Sequence, residues 1–323
     1  MLCMKNNVIV SVIIPAYNVC GYIRECLESC KKQTFNGAEF IVINDGSTDG
    51  TKEEIEKNIG SDKRFQLIDK QNEGVTAARE DGLKVAKGKY VFFLDGDDKI
   101  VSSDTLMQLC SNALVNDSDF VRGDFNILYS DNVKHLHRFP EHGVQNSIEA
   151  LKYAFLHNDF YYTSRLIRKS LVEEILNQIP HDITYGEDTY AVVNILAKIK
   201  RATKINNPII DYVQRANSVT NRLTKYDLEK RNKATVLTLE LAYKMNLNIE
   251  AQNEINVYAL RELYQSIALN VPNVWLYNKY RGKCIDVIRV KKNLSIKSCI
   301  ILFVSALNLP LTCRIIKFIK HIK

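Results

Sequence analysis

The sequence predicts an α/β protein: a doubly wound, mostly parallel sheet flanked by helices, followed by a helical C-terminal region. Two observations carry this. Across residues 8–94, four short apolar runs are separated by three stretches of helical periodicity, the order that a parallel sheet requires. The clusters PAYN, NDGSTDGT, NEG and DGDD each follow one of those runs, where such a sheet presents its ligand-binding edge.

The elements follow in order. VIVSVII (8–14) is a β-branched run closed by Pro15, which marks a buried strand. GYIRECLESCKK places Ile23, Cys26, Leu27 and Cys30 at helical spacing. FIVIN (40–44) is a second strand, and Thr51 with Glu54 predicts a capping box opening the helix KEEIEKN. FQLID (65–69) is a third strand, GVTAAREDGLKVA (74–86) a helix and YVFFL (90–94) a fourth strand. Helices are then expected over 103–115, 147–157, 168–178 and 187–199, short strands near DFVRGDF and PIIDYVQR, and continuous helix over 225–270. The domain reading is 1–222 for the sheet domain, with halves at 8–98 and 99–222. Residues 223–323 form the helical remainder.

Composition narrows the function classes. The 323 residues are 46% hydrophobic and 25% charged, as in ordinary globular proteins, with six prolines and no internal repeat. Net charge is +7, yet residues 279–323 alone carry eleven Lys or Arg against Asp286, so the preceding chain is slightly acidic. No basic stripe of the nucleic-acid kind crosses the body. The eight cysteines contain no CxxC pair, which disfavours zinc and reads as reduced thiols in a cytoplasmic protein. MLCMKNNVIVSVIIP reads as a first strand rather than a signal peptide.

The turn after the first strand, PAYNVCG, lacks the G-x-G-x-x-G of dinucleotide-binding domains, and no P-loop is present. It also lacks the Gly-, Arg- and Lys-rich loop expected for nucleotidyl transfer. From Asp45, DGSTDGTKEEIE has the spacing of a calcium-binding loop, with Gly50 at position six and Glu56 at twelve, but a strand precedes it where a helix is needed. In DGDD, Asp95, Asp97 and Asp98 crowd three carboxylates into one turn, and like charges that close need a cation between them. Carboxylate oxygens suit Mg²⁺ or Mn²⁺ shared with a phosphate.

SVIIPAYN, NDGSTDGT, NEGVTAAR and FLDGDD, in that order, resemble glycosyltransferase family 2, an inverting group of GT-A fold, in the bacterial cell-surface polysaccharide type. The resemblance extends through YGEDTY and QRANSVT, and implies a nucleotide-binding half at 8–98 and an acceptor half at 99–222. It implies a hexosyl- or N-acetylhexosaminyltransferase that uses a nucleotide-sugar donor, in capsule, lipopolysaccharide or wall-polymer assembly. Pro15, Tyr17 and Asn18 are then substrate-binding, and Asp45 recognises the nucleobase. Asn72, Gly74 and Arg79 close over the nucleotide. Asp95 and Asp97 form the DxD motif, with Asp97 on the metal and Asp95 on the ribose or a metal water; Asp98 is a cap or unassigned. Asp188, beside Glu187, is the general base, although acids in a first helical turn also favour the helix dipole. Arg215 and Ser218 approach the diphosphate or acceptor, with a surface ion pair the other reading of Arg215. A non-catalytic nucleotide-sugar-binding or scaffolding relative is the alternative, and intact Asp97 and Asp188 argue against it.

His135 and His137 have no third ligand nearby in sequence and read as solvent-facing. At the C-terminus, sixteen uncharged residues between Lys297 and Arg314 precede RIIKFIKHIK. They are interrupted by Asn308 and Pro310 and fall short of the roughly 20 residues of a spanning helix. The pattern over 295–323 reads as a basic amphipathic helix on an anionic membrane surface, at the inner face of the cell membrane and within reach of a lipid-linked acceptor, with packing on the body as the alternative.

Overall fold

The computed structural model describes residues 8–129, 134–140, 143–176, 178–180, 183, 185–214, 224–269 and 271–280. The chain divides into two compact units. The first comprises Met1–Ser147, Tyr161–His181 and Lys198–Arg222; the second comprises Ile148–Phe160, Asp182–Ala197 and the described part of Leu223–Lys323. The second unit thus takes two segments from inside the range read as the sheet domain.

The first unit is a nine-stranded sheet with helices against it. Val10–Ala16 (β1) is buried at every position and pairs in parallel with Ala38–Asp45 (β2) and Tyr90–Phe93 (β4); β2 pairs in parallel with Phe65–Lys70 (β3). The register runs from Val10↔Ala38 to Ala16↔Asn44 and ends on β3 at Asp45↔Lys70, so the carboxyl ends of these strands finish level. This parallel half is built as the apolar runs demand. Ile23–Lys31 (α1), Thr51–Ile59 (α2) and Val75–Val85 (α3) are its crossover helices. At Gly82 of α3 a Cβ would stand 2.6 Å from Ile13 Cγ2 and 2.9 Å from Ile43 Cδ1, so the missing side chain sets how closely helix and sheet approach.

Beyond β4 the pairing changes. Arg165–Arg168 (β8) runs antiparallel to β4 and to Phe120–Leu128 (β6). Ala202–Val213 (β9) is parallel to β6, with irregular register around Asp124. Lys99–Ile100 (β5) and Lys134–His137 (β7) add antiparallel pairs on β9 and β6. Thr105–Val115 (α4) and Lys169–Leu176 (α6) complete the unit.

The second unit contains Ser147–His157 (α5, whose first residue lies in the first unit), Glu187–Lys198 (α7, whose last residue lies in the first unit), Lys225–Lys244 (α8), Ile249–Ala268 (α9) and Val274–Tyr280 (α10). Phe155, Phe160 and Tyr258 meet edge to face at centroid separations of 5.2–5.3 Å. Arg231 pairs with Glu262 at 2.9 Å.

Three expectations are corrected. Thr51 and Glu54 form no capping box: Gly50 is the N-cap, the Thr51 hydroxyl donates to Asp49 Oδ1 at 2.5 Å, and Arg24 binds Glu54. Asp49 does the capping, accepting from the Thr51 and Cys20 amides. Residues 225–270 are two helices, not one: Thr224 and Asp227 close a capping box on α8, and Asn248 Oδ1 accepts from the Ala251 amide to start α9. His137 is half-buried rather than solvent-facing, its ring stacked 4.5 Å from that of Phe125.

Candidate active site

The level strand ends of the parallel half assemble the polar clusters into one rim. After β1 the chain turns at Asn18, whose φ is +51°. Asn18 Oδ1 accepts from the Thr48 amide at 2.9 Å, and the Asn18 amide donates to Ser47 Oγ at 3.1 Å, so PAYN and NDGST are laced together. Pro15 O accepts from the Gly96 amide at 3.1 Å, which sets DGDD beside PAYN. Tyr17 is exposed.

Asp45 ends β2 and is buried, with 2% exposure. Its Oδ1 accepts from the Glu73 amide at 3.0 Å and its Oδ2 from the Gly74 amide at 2.9 Å. Both carboxylate oxygens therefore hold the NEG loop, which no base-recognition reading of Asp45 included. Gly46 follows with φ +68°, and a Cβ there would lie 2.6 Å from the Asn72 backbone nitrogen. Only glycine combines that left-handed backbone with that approach. Asn72 is exposed, and Gly74, with φ +94°, leads into α3.

From α3, Arg79 points into the rim. It is 3% exposed, its Nη2 donates to Asp95 Oδ1 at 3.3 Å, and its guanidinium lies over the rings of Tyr162 and Phe93 at 5.1 and 5.8 Å. Here is one cation for the crowded carboxylates. The aromatic faces and Asp95 together hold a guanidinium that would otherwise be costly to bury.

Within DGDD the three carboxylates divide their work. Asp98 is fully buried; its Oδ1 accepts from the Val213 amide at 2.9 Å and its own amide donates to Asp95 O at 2.9 Å. It pins β9 to the turn. Asp95 and Asp97 stay partly exposed at the rim. Tyr212, one residue before the pinned amide, lies close enough for all three carboxylates to act on its phenol. Burial first, then Asp98, Asp95 and Asp97, push that phenol up to about 12, so it remains a hydrogen-bond donor at neutral pH. Sequence reasoning passed over Tyr212; its signal was DYV closing an apolar strand just before QRANSVT. Cys26, buried beneath, donates from Sγ to Asp95 O at 3.7 Å.

Among the described residues, no group of three His, Cys, Asp or Glu side chains is arranged to hold a metal ion. Two part-exposed carboxylates on one turn nonetheless fit a hard divalent cation, which such sites hold by one or two carboxylates together with substrate phosphates.

In the second unit, Glu187 and Asp188 occupy the first turn of α7. Glu187 is 9% exposed and Asp188 half-buried. Gly186, with φ +83°, precedes them, and a Cβ there would meet Ala234 Cβ at 3.0 Å. Tyr185 is pushed up by burial, partly offset by Arg231. Arg215, Ser218 and the tail over 295–323 lie outside the described residues.

A sequence model described as glycosyl transferase family 2 matches residues 11–176, about half of the chain. An uncharacterized glycosyltransferase, EpsJ of Bacillus subtilis, is 32% identical over 220 residues, 66% of this chain and 63% of that protein, so the match falls short of two thirds of its length. A cholesterol galactosyltransferase of Borreliella burgdorferi is 28% identical over 304 residues, 88% of this chain and 84% of that protein. Among solved structures, S. aureus TarS 1–349 in complex with UDP-GlcNAc superposes with a TM-score of 0.72 at 19% identity, covering 97% of this chain and 92% of that 1–349 chain, a likeness of fold. With a family model spanning both the parallel half and the first mixed strands, over half of its length, the chain belongs to glycosyltransferase family 2.

Proposed function

We propose that this chain transfers one sugar, with inversion, from a nucleotide-sugar donor to a hydroxyl of a glycan or lipid-linked acceptor in cell-surface polysaccharide synthesis. The observation that carries the reading is the first unit's rim, where Arg79 and the DGDD carboxylates stand beside a loop tethered by Asp45. A uridine donor is favoured by the TarS likeness, since that structure contains UDP-GlcNAc.

Pro15, Tyr17, Asn18, Asp45, Asn72 and Gly74 frame the nucleoside, and Arg79 offers charge to the diphosphate. Asp97 and Asp95 would hold Mn²⁺ or Mg²⁺, which supplies positive charge at the departing diphosphate. Such electrostatic stabilisation of developing charge is usually the largest catalytic contribution. Asp188, with Glu187 beside it, takes the proton from the acceptor hydroxyl as that oxygen attacks the anomeric carbon opposite the leaving group. Arg215 and Ser218 belong to the same reading, near the diphosphate or acceptor.

A thermal-shift panel over UDP- and GDP-sugars with Mn²⁺ tests this. Wild type is stabilised by one donor class, and Asp97→Ala loses the Mn²⁺-dependent part. Asp188→Asn keeps the donor shift while kcat falls about 10²–10⁴-fold. Absence of any nucleotide shift in wild type would sink the reading.

The basic segment over 295–323 is proposed to attach the enzyme to an anionic membrane surface at the inner face of the cell membrane. The Borreliella relative, named for a sterol substrate, is consistent with a lipid-borne acceptor. No described helix is long and apolar enough to cross a membrane. Deleting 295–323 is expected to move the protein out of the membrane fraction; unchanged partitioning would refute the attachment.

A further inference from the structure

We propose that Tyr161 and Tyr212, mounted on Phe125, form a shelf that takes the apolar face of a pyranose ring beside the DGDD turn. The inference rests on the sugar-transfer reading and adds to it the residues that grip the sugar.

Phe125 is the hub. It is 5% exposed and lies in the middle of β6. His137, its cross-strand partner, stacks on it at 4.5 Å with 20° between the planes. Tyr161 and Tyr212 meet it edge to face, at 5.4 Å and 66° and at 6.5 Å and 77°. Phe139 adds a contact at 5.9 Å. Five rings packed in this way fix the two tyrosines against rotation, because edge-to-face aromatic pairs have defined geometry.

The shelf is open on one side. Tyr161 is 41% exposed and Tyr212 half-buried, so neither residue is sealed inside the core.

Position decides what the surface suits. Asp98 Oδ1 holds the amide of Val213, the residue after Tyr212, so the shelf is tied at fixed distance to Asp95 and Asp97. A ligand lying there meets apolar rings on one side and carboxylate acceptors at its edge. A pyranose matches that pairing: its axial C–H bonds form an apolar face, and its equatorial hydroxyls donate around the rim. The same chemistry belongs to the donor sugar and to a terminal acceptor sugar.

The test uses the full chain and the variants Tyr161→Leu, which keeps apolar bulk, and Tyr161→Phe, which keeps the ring. Calorimetry with Mn²⁺ compares UDP or GDP with the matching nucleotide sugars, and saturation-transfer NMR follows a panel of methyl glycosides in the presence of the nucleoside diphosphate. If the donor ring occupies the shelf, Tyr161→Leu weakens the nucleotide sugar about three- to tenfold, leaves the nucleoside diphosphate unchanged and is rescued by Tyr161→Phe. If the acceptor ring occupies it, the same loss falls on the methyl glycoside and the nucleotide sugar is unaffected. The shelf is overturned if Tyr161→Leu, melting as wild type does, keeps both affinities within twofold, or if sugar contributes to neither. Weakened binding of the nucleoside diphosphate itself would assign the rings to a nucleobase and also overturn it. Failure of wild type to bind any nucleotide is a separate result, which removes the transfer reading and the shelf's ligand with it.

Discussion

The two halves of the sheet solve the problem of a buried strand in opposite ways. In the parallel half, β1, β2 and β4 are apolar nearly throughout, and apart from Ser11 and Glu39 near their starts, polar groups appear where the strands end. In the mixed half, charge runs through the middle of the strands. Arg122, Asp124 and Arg165 are fully buried on β6 and β8, and Lys204 of β9 pairs with Asp124 at 3.0 Å with both side chains at 2% exposure or less. Arg122 donates to Gln145 and Arg165 to Ser164, while Asp124 also accepts from the Phe139 amide at 3.0 Å. The first half is therefore held by hydrophobic burial, which tolerates small shifts. The second is held by directional contacts that fail individually.

Breaking one such contact should give the largest stability change. Lys204→Met removes the nearer of two cations that pair with Asp124, leaving Arg138 at 3.9 Å, and is expected to cost about 3 kcal/mol in urea unfolding, the low end for a broken buried pair. Binding of nucleotide at the parallel half should survive in the folded fraction. A loss under about 1 kcal/mol would show that the pair is not what organises β6 and β9.

In the parallel half the sensitive positions are backbone ones. Gly46→Ala puts a Cβ against Asn72 N at a φ of +68°, and about 2–3 kcal/mol of destabilisation is expected. Hydrogen exchange should rise selectively at the Glu73 and Gly74 amides; uniform exchange would contradict the tether. The smallest effect belongs to Asp49→Ala at the exposed start of α2, about 0.5–1 kcal/mol at neutral pH. Burial is the largest single influence on the Asp49 carboxyl and raises it, but hydrogen bonds from Thr51 and Cys20 together outweigh it and lower it below the ordinary 3.8. A depressed carboxyl contributes above its unfolded value and loses that contribution as pH falls through the folded one. Wild type and Asp49→Ala should thus converge in stability as pH falls below the ordinary carboxylate range, which paired melts would check.

How much was legible in the sequence follows the same division. The strands at 8–14, 40–44, 65–69 and 90–94 and the helices between them could be read because apolar runs of that length, punctuated by Pro, Gly and Asp, have few alternatives. β5, with two residues, and β8, whose RLIR carries two arginines, offered no pattern to detect. The break after α8 was invisible because MNLN contains neither Gly nor Pro; it exists because Asn248 caps α9. Thr51 and Glu54 had the spacing of a capping box, but Arg24, thirty residues earlier, claimed the glutamate. Of the candidate site, the acidic turn and its companions were read from their order. Tyr212 and the tether at Asp45 were not, because each depends on a partner far along the chain.

The tether has one further consequence. Between Lys70, the last residue of β3, and Val75, the first of α3, the chain has only four residues, and Asp45 grips the amides of two of them. Gly46 leaves no room beneath a third. This loop is a ruler of fixed length: one inserted residue would pull two donors off a carboxylate that water scarcely reaches. Variants with altered sugar preference should therefore carry their insertions and deletions elsewhere, and an engineer should treat residues 71–74 as scaffold.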